Sequence, residues 1–165
     1  MAVEDDIARV AEQERRCTFA AFDEAAALKI GMRIGELAAA KGAALAIDIR
    51  FWNRPLYFHA MPGTSADNVE WVRRKSNCVR RFDRSSYAVS LRQARDGKGF
   101  AHDSGIDPME IAAHGGAFPI RVAGTGIVGT ITVSGVPQRT DHAYVVEAIC
   151  EYLGIDYGAL ALPAA

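Results

Sequence analysis

The hydrophobic pattern of residues 44–61 constrains the fold most, because it repeats every two residues on both sides of a short turn. Every second residue from Leu45 to Phe51 is apolar, and Asp48 and Arg50 lie between them. Residues 53–55, Asn-Arg-Pro, favour a turn, and the alternation resumes after them. Successive side chains of a strand point to opposite faces, so this segment predicts an antiparallel β-hairpin with one buried face.

The other patterns surround this hairpin with helices and add a second pair of strands. Helices are predicted over residues 3–16, between Asp23 and Gly42, and over 66–83, 85–95 and 138–153, with strands over 117–122 and 127–134. The strands follow one another in pairs, and the alternating βαβ units of a doubly wound fold are missing. The sequence therefore predicts an α+β fold in which helices flank a largely antiparallel sheet, as in a profilin-like α/β sandwich.

Two glycines interrupt the second predicted helix. Gly31 and Gly35 lie four residues apart, on the same side of the helix as one another. Each glycine weakens a helix by about 1 kcal/mol relative to alanine. Close packing of another element against this side of the helix is therefore expected.

The length of 165 residues is that of a single domain. Residues 1–20 are predicted to form a mostly exposed N-terminal helical arm, and residues 21–155 the core. Residues 156–165 are expected to be a loose tail or a subunit contact.

Charge, cysteine content and hydropathy indicate which kinds of partner the protein binds and in which compartment it is expected. The formal net charge of -1 argues against a surface for nucleic acid. No apolar run approaches the ~20 residues that span a bilayer, which argues against a membrane protein. The three scattered cysteines fit free thiols in a reducing compartment, and the acidic start does not resemble a secretory signal. We therefore expect a cytoplasmic protein.

Residues 124–129 spell the glycine pattern GxGxxG. A dinucleotide-binding fingerprint needs a helix directly after this pattern, so that the pyrophosphate meets the helix N-terminus. Residues 131–133, Ile-Thr-Val, continue as a strand instead. The glycines therefore indicate a hairpin turn and not a cofactor site.

A basic run crosses the third predicted helix. It consists of Arg73, Arg74, Lys75, Arg80, Arg81 and Arg84. Arginines in such a run usually form a solvated face. Lys75 differs, because it follows Val72 by three residues on the apolar stripe. Its amine either extends to solvent or sits at a pocket that holds an anion, and both interpretations stay open.

The histidines do not form a metal site by spacing. His59, His102, His114 and His142 show neither HxH nor HxxxH spacing, so no metal site is predicted. His59 lies on the polar side of its strand. His114 precedes Gly115 and Gly116, whose uncovered backbone suits either an approaching ligand or a turn into the next strand. Hydrolytic triads are not supported, and no two carboxylates are paired by spacing as acid and base.

Several short motifs together resemble one known family. Residues 115–120, Gly-Gly-Ala-Phe-Pro-Ile, precede residues 129–135, Gly-Thr-Ile-Thr-Val-Ser-Gly, and the pair Asp141-His142. This combination resembles the signature of the GlcG/HbpS-like haem-degrading domain family. Residues 71–75, Trp-Val-Arg-Arg-Lys, and 85–87, Ser-Ser-Tyr, resemble a narrower branch of it. The resemblance covers roughly residues 20–155.

The resemblance implies a helix-flanked antiparallel sheet and a homo-oligomer built from dimers. Some relatives bind haem or assist its breakdown, so a tetrapyrrole is the leading ligand and haem the implied cofactor. The first two helices carry no histidine here, although some relatives ligate haem from that region. No haem ligand can therefore be transferred, and His59 and His114 are proposed on chemistry alone.

Three functional hypotheses follow. In the first, the protein binds a tetrapyrrole, with Arg74 and Lys75 neutralising propionates and His59 or His114 ligating iron. In the second, it is an oligomeric scaffold for partner proteins and has no catalytic activity. In the third, it is an enzyme that acts on a small anionic metabolite, with Lys75 and His114 around a pocket near Ser134.

Overall fold

The computed structural model describes residues 2–164, which contain four strands and six helices. In chain order they are α1 (Ala2–Arg16), α2 (Glu24–Ala40), β1 (Ala46–Phe51), β2 (Arg54–Ala60), α3 (Ala66–Phe82), α4 (Ser86–Asp96), β3 (Ala117–Val122), β4 (Gly126–Ser134), α5 (Gln138–Leu153) and α6 (Tyr157–Leu160). The predicted bounds of α3, α5 and both hairpins agree with these to within a residue or two.

The strands form one antiparallel sheet in the order β2-β1-β4-β3. Its two hairpins are joined in the middle, where β1 pairs with β4 so that Ile47 lies opposite Val133. Gly124 and Gly126 of the GxGxxG pattern lie at the turn between β3 and β4, and Gly129 lies within β4, between Phe51 of β1 and Ile120 of β3. At the end of β3, its outer edge forms one parallel bridge, between Val122 and Phe19. The α+β fold predicted from the sequence is confirmed.

The two faces of the sheet differ in chemistry. One face is apolar and packs against α2 and α5. The buried side chains of this layer include Ile30, Ile34, Ile47, Ile49, Ile131, Val133 and Ile149. On the other face, buried Asp48, Thr130 and Thr132 lie beneath α3. Because pleated strands alternate, the same two strands β1 and β4 supply both the apolar core and this polar floor.

Buried polar contacts attach α1 and the C-terminal residues to the core, although most residues of α1 are exposed or half-buried. Buried Asp6 accepts hydrogen bonds from the Tyr87 hydroxyl at 2.8 Å and from Arg139 at 2.9 and 3.0 Å. The Gln13 side-chain amide donates to the Leu160 carbonyl at 2.7 Å, and Leu160 is 1% exposed. The contacts of α1 were missed because its buried residues include polar side chains, which normally indicate a solvated face.

His142 lies inside this polar network and is completely buried. Its Nε2 atom is 2.7 Å from the Gln13 side-chain oxygen, which can only accept. The Nε2–H tautomer is therefore present, and burial lowers the pKa of His142 to about 3. The ring is thus neutral near pH 7 and serves to hold α1 in place.

The two glycines of α2 have different surroundings. A Cβ atom on Gly31 would lie 2.3 Å from Cδ1 of Tyr57, whose ring packs flat on the helix, whereas one on Gly35 would meet only Cδ1 of Ile47 at 3.8 Å. The close packing expected from the sequence is therefore found at Gly31, and Gly35 has room for a methyl group.

We therefore expect Gly31→Ala and Gly35→Ala to change stability in opposite directions. Gly31→Ala must displace the Tyr57 ring and should lower the free energy of unfolding by about 1 to 2 kcal/mol. Gly35→Ala should raise it by up to about 1 kcal/mol, because alanine favours the helix. Urea unfolding of both variants measures the difference, and equal effects would show that Tyr57 does not restrict the helix.

Candidate functional site

A pocket of about 250 Å³ lies between α3 and the turn that follows β4. Its lining comes from α3, from the segment before β3 and from the first turn of α5. We call it the His114 pocket, and its lining residues are Asp67, Asn68, Trp71, Lys75, His114, Ser134, Gly135, Val136, Gln138 and Asp141. The fold thus brings Lys75, His114 and Ser134 together, as the third hypothesis required.

A buried ion pair forms the floor of the His114 pocket. The Lys75 amine donates to Oδ2 of Asp141 at 2.8 Å and to the Val133 carbonyl at 3.2 Å. Oδ1 of Asp141 also accepts from the Val136 amide at 3.2 Å. The Lys75 and Asp141 side chains are 4% and 2% exposed. Lys75 therefore neither extends into solvent nor stands unpaired at the pocket.

Burial shifts both partners of this pair toward their neutral forms. It lowers the pKa of Lys75 and raises the pKa of Asp141 to about 6, while their mutual attraction opposes both shifts. With a pKa of about 6, Asp141 is mostly ionised near pH 7, and its carboxylate accepts from the Lys75 amine at 2.8 Å. Sequence reasoning missed Asp141 as a site residue, because the two residues are separated by 66 positions and no local pattern links them.

Gly115 and Gly116 allow the backbone to pass close to this pair. A Cβ atom on Gly115 would lie 2.4 Å from the Gln138 carbonyl oxygen. Gly116 has a φ of +132°, and a Cβ atom there would lie 2.9 Å from the Lys75 amine. The two glycines therefore let the start of β3 approach α5 and Lys75, so that protein atoms cover the backbone at both positions.

His114 stands at the pocket wall beside an aromatic ring and two cations. Its imidazole packs edge-on against Trp71 with ring centroids 4.9 Å apart. The Arg74 guanidinium lies 4.7 Å from the Trp71 ring and donates to the Pro108 carbonyl at 3.0 Å. Partial burial, and then the charges of Lys75 and Arg74, lower the pKa of His114. The imidazole is therefore neutral near pH 7, and within residues 2–164 neither of its nitrogens makes a hydrogen bond.

The remaining histidines lie elsewhere. His59 is exposed on the edge strand β2, opposite Ile47, and does not line the His114 pocket. His102 lies in an exposed loop, and His142 is enclosed in the network that holds α1. Among the residues that the structure describes, no group of three or more histidine, cysteine or acidic side chains could hold a metal ion. Across the same range, every helix is too short or too polar to cross a membrane.

Comparison with known proteins gives matches along nearly the whole chain. A family model described as haem-degrading protein HbpS-like matches residues 22–150. The UPF0303 protein mlr5144 of Mesorhizobium japonicum is 48% identical over 162 residues, which is 98% of this chain and 97% of that protein. These matches confirm the resemblance that the motifs of residues 115–142 indicate.

Solved structures share the fold. The crystal structure of Ybr137w protein is 25% identical with a TM-score of 0.82, and the match covers 90% of this chain and 88% of that one. The crystal structure of a PduOC:heme complex is 15% identical with a TM-score of 0.67, and the match covers 79% and 94% of the two chains. The latter similarity concerns the fold alone.

Replacing Lys75 should show how much free energy is needed to bury the Asp141 carboxylate without a partner. We expect Lys75→Met to lower the free energy of unfolding by about 3 to 5 kcal/mol near neutral pH, because an unpaired carboxylate is left inside. The double variant Lys75→Met/Asp141→Asn should recover about half of this loss or more, since asparagine still accepts from the Val136 amide. Denaturant unfolding of the three proteins measures both effects.

The decrease in the free energy of unfolding caused by Lys75→Met should also depend on pH. The folded-state pKa of Asp141 is already raised to about 6, and it rises further without the lysine. A carboxyl of this kind favours the folded state at low pH, and the stabilisation is lost as the pH rises through the folded-state pKa. The deficit should therefore be smallest near about pH 5 and largest near about pH 8. A deficit of constant size would mean that Asp141 is not the group left unpaired.

Proposed function

The chain belongs to the HbpS-like haem-degrading protein family, and from this premise we propose that it binds a haem-type tetrapyrrole at the His114 pocket, with His114 as the iron ligand. The family description names haem, and one protein of the same fold was solved in complex with heme. The observation that carries the proposal is the imidazole of His114. It is neutral, it makes no hydrogen bond to the described residues, and it stands in a pocket wall beside an aromatic ring.

The residues around His114 fit the polar requirements of haem. A neutral imidazole is a common ligand of haem iron. The Arg74 guanidinium lies over the adjacent Trp71 ring, where it can pair with a propionate carboxylate. Lys75 contributes through its charge, because its amine is already bound to Asp141 and to the Val133 carbonyl. Arg74 therefore takes the propionate role that the sequence assigned to both residues.

The size of the pocket limits how the ligand is held. At about 250 Å³ it lies below the range of about 300–1,000 Å³ that encloses drug-sized ligands. A single chain would therefore enclose only part of a macrocycle. Bound haem supplies redox-active iron. The chain's own part would be to offer the His114 imidazole to the iron, to pack Trp71 against the ligand and to keep the imidazole unprotonated.

We also propose that the protein acts as a homo-oligomer built from dimers in the cytoplasm. Leu28, Met32 and Tyr152 are between 40% and 53% exposed on α2 and α5, and large apolar side chains grouped in this way favour contact with another chain. The cysteines Cys17, Cys78 and Cys150 are buried free thiols, which supports a reducing compartment. A second chain over a half-open pocket would also cover more of a macrocycle.

One observation favours a second function, an enzyme that acts on a small anionic metabolite. The buried pair Lys75–Asp141 has oppositely shifted pKa values and lines the same pocket as Ser134 and His114. Titratable groups with shifted pKa values in one pocket are typical of acid–base sites. A ligand small enough to fit entirely inside the His114 pocket would favour this function over tetrapyrrole binding.

Titration of the purified protein with haemin tests the first proposal. We expect a saturable Soret band, with affinity lowered at least about tenfold in His114→Ala, which corresponds to about 1.4 kcal/mol. His59→Ala is the matched control and should leave the titration unchanged, because that residue lies on β2 and does not line the His114 pocket. The pH below which binding weakens should be lower than for an ordinary imidazole, since the pKa of His114 lies below its usual value of about 6.5.

Two results would contradict the proposal. Weak, featureless absorbance that neither substitution changes would exclude a haem site and would favour an oligomeric scaffold without a ligand. A Soret band that is lost in His59→Ala and kept in His114→Ala would show that the iron ligand is His59, on the edge strand β2.

A further inference from the structure

A second cavity, of about 300 Å³, lies on the opposite side of α3 from the His114 pocket. It is bounded by the β1–β2 hairpin and by the helix side that carries Val69, Ser76 and Arg80. None of its lining residues lines the His114 pocket. We call it the arginine cleft and define it by Asp48, Arg50, Trp52, Phe58, Val69 and Arg80.

The floor of the arginine cleft is a buried carboxylate that fixes an arginine. Asp48 is 2% exposed, and its two oxygens accept from Nε and Nη2 of Arg50 at 2.8 and 3.0 Å. This two-point contact fixes the plane of the guanidinium and leaves Nη1 without a hydrogen bond to the described residues. The Arg50 side chain is 37% exposed, so this remaining donor is available to a ligand.

The floor of the arginine cleft is polar, whereas a layer that only packed α3 on the sheet would be expected to be apolar. Hydroxyl groups of Ser76, Thr130 and Thr132 form a chain with separations of 3.2 and 2.8 Å beside Asp48. Burying a charge and three hydroxyls beneath a helix is costly unless each is paired. The opposite face of these strands is filled by isoleucine and valine. A polar floor beside an open cavity is typical of a binding site.

The walls and the rim combine exposed apolar surface with positive charge. Phe58 and Val69 are 49% and 40% exposed, although both are large apolar residues. The Arg80 guanidinium lies 5.7 Å from the Trp52 ring, and within residues 2–164 it has no carboxylate partner. Its neighbour Arg73, by contrast, is paired with two glutamates. Arg50 is paired with Asp48, so Arg80 is the guanidinium of the lining that has no carboxylate partner among the described residues.

We propose that the arginine cleft binds a small aromatic carboxylate, with its ring against Trp52 and Phe58 and its carboxylate at Arg80 and Arg50. The aromatic walls select a flat apolar body, and the two guanidinium groups select an anion. The volume of about 300 Å³ lies at the lower end of ligand sites and restricts the ligand to a small molecule. This site is separate from the proposed tetrapyrrole site, because α3 lies between them.

Calorimetric titration of the full chain with 2-naphthoate and with its neutral analogue 2-naphthamide tests this site. We expect saturable binding of 2-naphthoate, and binding of the amide that is weaker by about tenfold or more. Arg80→Gln should remove most of the difference in affinity between the acid and the amide. Phe58→Ala should weaken the binding of both compounds. Arg80 and Phe58 are both exposed. Arg92→Gln replaces an exposed arginine of α4 and is the matched control, which should leave the affinity for both compounds unchanged.

The outcome is independent of the haem titration. His114→Ala should leave 2-naphthoate binding unchanged, and Arg80→Gln should leave haemin binding unchanged, because the two sites share no lining residue. Equal affinity for the acid and the amide, no saturable binding of either, or an effect of Arg92→Gln as large as that of Arg80→Gln would overturn the proposal. Loss of 2-naphthoate binding in His114→Ala would place this ligand in the His114 pocket and would overturn it as well.

Discussion

The buried ion pair of Lys75 and Asp141 is the interaction on which the His114 pocket depends. It joins α3 to α5 at the start of β3, and each partner makes a further hydrogen bond to the backbone after or within β4. Two charges inside a protein are tolerated only when such pairing is nearly complete. The φ of Gly116, together with the space that the Lys75 amine occupies there, makes glycine a geometric requirement at this position.

The same pair sets the electrostatic character of the pocket wall. Partial burial, and then the charges of Lys75 and Arg74, lower the pKa of His114 and so favour a neutral imidazole at the site. A neutral imidazole can bind a metal centre, whereas a protonated one cannot. A structural ion pair thus also contributes to the protonation state of the imidazole at the pocket wall.

α3 separates two cavities of different chemistry. The side of the helix that carries Trp71 and Lys75 lines the His114 pocket, whereas the side that carries Ser76 and Arg80 lines the arginine cleft. This arrangement follows from the sheet beneath it. Its polar face cannot be closed by apolar helix side chains alone, so α3 presents polar and charged residues to it. The basic run of α3 is therefore divided between two cavities and the solvated surface.

The sequence by itself determined the hairpins, the main helices, the antiparallel sheet and the family, because each depends on local periodicity, on turn residues or on short contiguous motifs. It also excluded a dinucleotide site at the turn before β4, since a strand follows the glycines. Only the tertiary structure decided that Lys75 meets Asp141, that Asp6 meets Arg139, and that His114 rather than His59 stands in a pocket. These partners lie far apart in the chain, and buried polar residues carry the same local pattern as solvated ones. Their pairing is set by how the helices pack on the sheet, which no local pattern specifies.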